Sequence, residues 1–315
     1  MTNRALLPAV EMTDMDELQV VDCCAYYRQR QDALHLIKQL NRLTSGVQRH
    51  RGLSMALLSG DKRVQDEFAA LQKQVDKRIA VLRAFARQSG DLISTRDQER
   101  LDNAWMTIKT DWHDDAVMDN FELHSHFIEQ LLGLTTELAK RLEKPIFEYL
   151  TRSMGTDAKL NTHLVHKQLG LLAFACRQMP DMVELVAKIR GLATHVIVIG
   201  RCDFHQERKL RYLLQCTRVQ NEKLRTQIDR MAASIKDNIA SLPMVKAYDL
   251  KLMFLLNNVE QDVLKSSAAT TDRRQLFELA SQIIDVYVNV ISDGLDLLQA
   301  WQERQLDDWC TMRSP

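Results

Sequence analysis

The sequence predicts an all-α protein, and three observations carry that prediction. Glycine and proline are scarce, at 10 and 5 of 315 residues, whereas a sheet protein uses both in its many turns. Leu, Ala, Gln, Lys, Arg and Met dominate instead, all good helix formers. Apolar residues recur at spacings of three and four, the period of one face of a helix.

Residues 1–20 read as an N-terminal arm with Pro8 and scattered acids. Helical patterning begins near Leu18 and sharpens into a stripe at Leu36, Leu40, Leu43, Val47, Ser54 and Leu58. Ser59-Gly60-Asp61 ends it as glycine ends a helix. A second helix over about 63–88 carries Phe68, Leu71, Val75, Ile79, Leu82 and Phe85 in phase, and Ser89-Gly90-Asp91 closes it. Ser94 or Thr95 can cap a third helix, with Gln98 or Glu99 near the capping-box position. A fourth spans roughly 115–152, and Pro145 inside it predicts a kink or a split.

Gly155-Thr156-Asp157 marks the division between a first bundle, 21–154, and a second, 155–315. In the second half one helix is expected to end before Pro180, another to run over 181–201, and a third over 203–240. Pro243 breaks the chain, and an interruption near 266–271 precedes a closing stripe at Leu276, Ala280, Ile283, Tyr287, Val290 and Leu298. The economical architecture is two up-down four-helix bundles, which could share long helices.

The halves carry a short echo. Arg51-Gly52-Leu53-Ser54 in the first matches Arg190-Gly191-Leu192-Ala193 in the second, and glycine follows at Gly60 and at Gly200. Arg51 falls on or beside the apolar seam of its helix, and Arg190 on the seam that holds Val183, Val186 and Ile197. A guanidinium aimed into a bundle is costly unless an anion pairs with it. Arg, Gly and a small hydroxyl residue on one turn can form a compact anion pocket, with Arg49 and His50 adding positive charge there. The alternative is that each arginine snorkels or pairs with an internal Asp or Glu.

Gln48-Arg49-His50-Arg51-Gly52-Leu53-Ser54-Met55-Ala56-Leu57-Leu58-Ser59-Gly60 resembles the (Q/E)RGLSAxxLxSG signature of the NIT domains, a nitrate- and nitrite-sensing family. Phe68 to Asp76 is similar to that family's F-x-x-L-x-x-Q-R-x-x-x-D segment, Phe121 to Glu143 to its helix before the midpoint, and Leu276 to Asp285 to its F-x-x-A-x-x-x-I-D element. The resemblance covers about 32–305, and its sharpest piece is the RGLS turn. It implies two four-helix bundles with an anion site between them, lined by arginines from both halves. Arg51 matches the signature arginine, with Arg49 nearby and Gly52 and Ser54 on the same turn. The family's AKExAGxERA segment corresponds to Ala187 to His195. Aligned on the Arg-Gly pair, Arg190 takes the place of the second arginine; aligned without a gap, His195 does. The chain departs from the family in carrying His50 where a glutamate usually precedes Arg-Gly.

The resemblance therefore implies a receptor for nitrate, nitrite or another small oxyanion. Such planar anions suit the guanidinium fork, which can meet two oxygens at once. With helical patterning filling the chain, no effector domain fits, so a separate protein effector or a homodimer is expected to carry the signal. The competing expectation is a helical scaffold that binds partner proteins without a ligand.

Composition excludes several classes. Lys plus Arg equals Asp plus Glu at 42 each, so the basic excess of a nucleic-acid binder is missing. No phosphate loop, dinucleotide fingerprint or nucleophile elbow occurs, so no enzymatic activity and no cofactor are expected. No Glu-x-x-His pair exists for a di-iron bundle, His163 and His166 read as ordinary histidines, and no metal site is expected. Cys202-Asp203 with His205 lacks a readable base, and Arg208-Lys209-Arg211 reads as a solvated face. The six cysteines form no CxxC pair, the N-terminus places acids where a secretory signal needs an apolar run, and no apolar stretch approaches the ~20 residues of a membrane span. A cytoplasmic protein without a membrane partner is expected.

Overall fold

A computed structural model describes residues 10–90, 92–144, 162–235, 239–264 and 272–313. Among them every regular element is helical and no strand occurs. The helices are α1 (Val10–Leu58), α2 (Gln65–Gln88), α3 (Thr95–Lys109), α4 (Val117–Leu142), α5 (Thr162–Ala173), α6 (Met179–Ile199), α7 (Phe204–Ile235), α8 (Leu242–Asn258) and α9 (Arg273–Arg313). Pro145, the 155–157 division and the 266–271 interruption lie outside the described residues.

α1 begins at Val10, before the periodic pattern does, and runs for 49 residues. Its seam is buried as the spacing requires: Leu36, Leu40, Leu43 and Val47, then His50, Arg51 and Ser54. α1 packs on α2 and α4, and α3 packs on α4. Gly46 allows the close approach of α2: a Cβ there would stand 3.2 Å from the Arg78 guanidinium and 3.4 Å from Val75. The third helix is capped by Ser94, whose hydroxyl accepts from the Asp97 amide at 3.1 Å. The residue in the capping-box position is thus Asp97, three on from the cap. Gln98 instead donates to the Ile93 carbonyl at 3.1 Å.

The second half differs from expectation in two places. Pro180 does not separate two helices. A π-helical turn over Phe174–Gln178 joins α5 to α6, and Pro180 follows that turn inside one continuous helical run, where the wider turn takes up a residue without an N–H. Pro243 sits in the first turn of α8, where a missing N–H breaks no helical bond; α8 is an additional helix over Leu242–Asn258 that the sequence left as a break. α6 packs on α7 and α9, and α8 packs on α9. α1 also packs on α6 and α9, so the long first helix joins the two sets. Gly60 and Gly200 end α1 and α6 with φ of +95° and +73°, the left-handed region that glycine enters without a Cβ penalty.

No helix among the described residues is long and apolar enough to cross a membrane. Cys24, Cys176, Cys202 and Cys216 are free thiols.

Candidate anion site

The RGLS turn of α1 docks on the start of α4 through three polar contacts in antiparallel register. His50 Nδ1 lies 2.8 Å from His124 Nε2. Arg51 Nη1 donates to Ser125 Oγ at 3.0 Å. The Ser54 hydroxyl lies 2.7 Å from Asn120 Oδ1 and 2.9 Å from the Arg51 carbonyl. All six side chains are buried. Serine and asparagine here are the partners that buried polar atoms require.

Arg51 is only 1% exposed, and its counterion comes from the other half of the chain. Glu184 of α6 accepts from Arg51 Nη1 at 2.6 Å and from Nη2 at 3.1 Å, a two-pronged pair. The same carboxylate accepts from Gln48 Nε2 at 2.9 Å, and Lys188 Nζ stands 3.7 Å away. The guanidinium also lies 5.0 Å from the centre of the buried Phe121 ring, which Lys209 Nζ approaches to 5.1 Å. Of the two sequence-level outcomes for Arg51, pairing with an internal carboxylate is the one observed.

Arg190 has a different environment. It is 8% exposed, it donates from Nη1 to Ser281 Oγ at 2.9 Å, and it lies 4.8 Å over the Phe277 ring. Among the described residues no carboxylate lies within 4.0 Å of it. Burial, and next the positive charge of Arg51, push its guanidinium down to about 10, and Asp285 and Glu184 oppose this from a distance. At neutral pH it remains a cation. Arg51 is thus paired with Glu184, while Arg190 is a second buried cation that no carboxylate touches among the described residues.

The remaining predicted residues lie apart from this cluster. Arg49 turns outward and pairs with Glu67 at 2.5 Å on an exposed surface. Two residues turn a helix by about 200°, so Arg49 and Arg51 cannot share a face. Gly52 faces open space, since a Cβ there would meet nothing within 4 Å. The close approach belongs to Gly191, where a Cβ would stand 3.2 Å from Met55 Sδ. His195 ties α6 to the end of α1 through Ser59 Oγ at 2.8 Å, and burial lowers its pKa. The side chain of His163 is outside the described residues, His166 is exposed, and no cluster of three metal-ligating side chains occurs among the described residues.

His50, expected to add positive charge on this turn, instead meets His124 as a buried neutral ring, and His124 is the residue that the sequence left unassigned. Burial drives His50 to about 4, and burial with the neighbouring His50 drives His124 well below its ordinary value. His124 Nδ1 donates to the Asn120 carbonyl at 2.7 Å, so its Nε2 accepts from His50 Nδ1 and both rings are neutral. His50 packs against the Phe68 and Trp105 rings at 4.4 and 5.0 Å.

No family model matches the chain, and no curated protein or solved structure does either.

Proposed function

We propose that the chain is a NIT-type receptor for a small oxyanion, nitrate or nitrite first, acting in the cytoplasm through a partner protein rather than as an enzyme. One observation carries this: Arg190 is a buried cation without a carboxylate, beside an Arg51–Glu184 pair that already joins the two halves. A monovalent anion would give Arg190 the counterion it lacks. It would also compete with Glu184 for Arg51, and an anion shifts a conformational equilibrium only through such differential contacts. The two-oxygen grip that Glu184 offers Arg51 is the grip a nitrate offers.

The test is a thermal-stability titration of the full chain with nitrate, nitrite and chloride at fixed ionic strength. Selective stabilisation by nitrate or nitrite that disappears in Arg190→Gln supports the proposal. Equal responses to all three salts count against it.

A scaffold without a ligand is the second reading, and one surface favours it. α8 exposes Met244, Leu250 and Phe254, the last two 77% and 60% exposed and four residues apart on one face. A scaffold predicts that Leu250→Glu abolishes self-association in sedimentation and that no anion changes the melting profile.

A further inference from the structure

Taking the receptor reading above as given, we infer that Lys188 is the second seat of the Glu184 carboxylate. When an oxyanion takes Arg51, Glu184 turns to Lys188, and Lys188 releases Glu129 of α4. The exchange carries anion binding from a buried site to the surface.

The Glu184 side chain is 6% exposed, and a carboxylate that deep does not give up its cation without a replacement. Its two oxygens have different company. Oε2 accepts from Gln48 Nε2 and from Arg51 Nη2. Oε1 accepts from Arg51 Nη1 at 2.6 Å and stands 3.7 Å from Lys188 Nζ. That oxygen already lies between two cations from different helices. Lys188 is four residues on from Glu184 along α6, with the acid nearer the N-terminus, the favourable order for a helical pair. Both residues sit on one helix, so side-chain rotation alone can close the remaining gap.

Lys188 is held by another acid in the meantime. Its Nζ donates to Glu129 Oε1 at 3.1 Å. The Lys188 side chain is 16% exposed and that of Glu129 is 60% exposed. Water replaces the ammonium readily at Glu129, because an exposed ion pair contributes little. Before the exchange the charges run Arg51, Glu184, Lys188, Glu129, each touching the next. After it the oxyanion holds Arg51, Glu184 holds Lys188, and Glu129 alone is left to solvent. Both buried members keep a partner throughout, and what changes is one ion pair between α4 and α6.

Calorimetric titration of the full chain with nitrate tests this in a double-mutant cycle. Lys188→Gln should weaken nitrate about tenfold, the worth of one charge-assisted hydrogen bond. Glu129→Gln frees Lys188 and should tighten nitrate by up to about fivefold. In a Glu184→Gln background neither change should exceed about twofold, because the carboxylate through which both act is gone; thermal melts confirm that each variant folds. Carbodiimide cross-linking of the wild type, mapped by peptide mass, needs no variant: nitrate, and not chloride, should lower the Lys188–Glu129 product several-fold. Equal effects of Lys188→Gln with and without Glu184 would mean a through-space field and overturn the exchange. So would a cross-link yield that nitrate leaves unchanged. Either result with nitrate still bound leaves the receptor reading standing, whereas a wild type that takes up no nitrate overturns both.

Discussion

Glu184→Gln removes one charge and little else, which makes it the sharpest perturbation of the cluster. In the wild type this carboxylate receives both arms of Arg51, at 2.6 and 3.1 Å, and the Gln48 amide at 2.9 Å. The glutamine keeps one acceptor oxygen but leaves Arg51 and Arg190 as two buried cations with no buried anion. Removing one partner of a buried pair costs about 3–5 kcal/mol, and the retained acceptor places this variant near the lower figure. The assay is urea unfolding followed by tryptophan fluorescence, to which Trp105, buried against His50, contributes. The expected result is a loss of about 3 kcal/mol without nitrate, and a larger nitrate-dependent recovery than the wild type shows. A variant as stable as the wild type would refute the assignment of Glu184 as the counterion of Arg51.

Three further outcomes follow from the packing and from the histidines. Gly52→Ala should stabilise the chain by up to about 1 kcal/mol, since the site is open and alanine is the better helix former; denaturant midpoints check it. Gly294→Ala should destabilise, because its Cβ would sit 3.2 Å from Ala175 Cβ and 3.3 Å from Leu171, and overpacking costs about 1–3 kcal/mol against that same helix gain. The pH dependence is fixed in sign by His50: its folded pKa, about 4, lies below the ordinary 6.5, so the unfolded chain binds the proton first. Stability should be full above pH 6.5 and fall as pH drops toward 4, by on the order of 3 kcal/mol from this residue alone. His124 adds in the same direction. Unfolding midpoints that do not change between pH 7 and 4.5 would contradict this.

Much of the scaffold was legible in the chain, for physical reasons. A seam of Leu36, Leu40, Leu43 and Val47 can be buried in only one way by a helix, and the same phase carries Arg51 inward. Glycines 60 and 200 end their helices because only a residue without a Cβ enters the left-handed region at no cost. What stayed hidden depends on long-range pairing. Glu184 lies 133 residues from Arg51, and nothing local shows that they meet. Its signal was a charged residue between Val183 and Val186 on a helix otherwise rich in apolar residues. Arg49 was misplaced by its closeness in sequence, although its angle on the helix already excluded a shared face. Pro180 and Pro243 read as breaks because proline interrupts a helix interior; Pro243 instead opens a helix, and Pro180 is carried by the π-turn just before it. Gly52 and Gly191 look equivalent in sequence, yet only Gly191 faces a neighbouring helix, so the spatial echo is weaker than the sequence echo.

Calorimetric titration of nitrate into the wild type and into Arg190→Gln tests the central claim most directly, with Arg49→Gln as the surface control. The buried Arg190 cation, which no carboxylate touches among the described residues, predicts saturable binding by the wild type, its loss in Arg190→Gln, and no change in Arg49→Gln, whose guanidinium is already paired with Glu67. Binding that survives Arg190→Gln, or a wild type that takes up no nitrate, would contradict it.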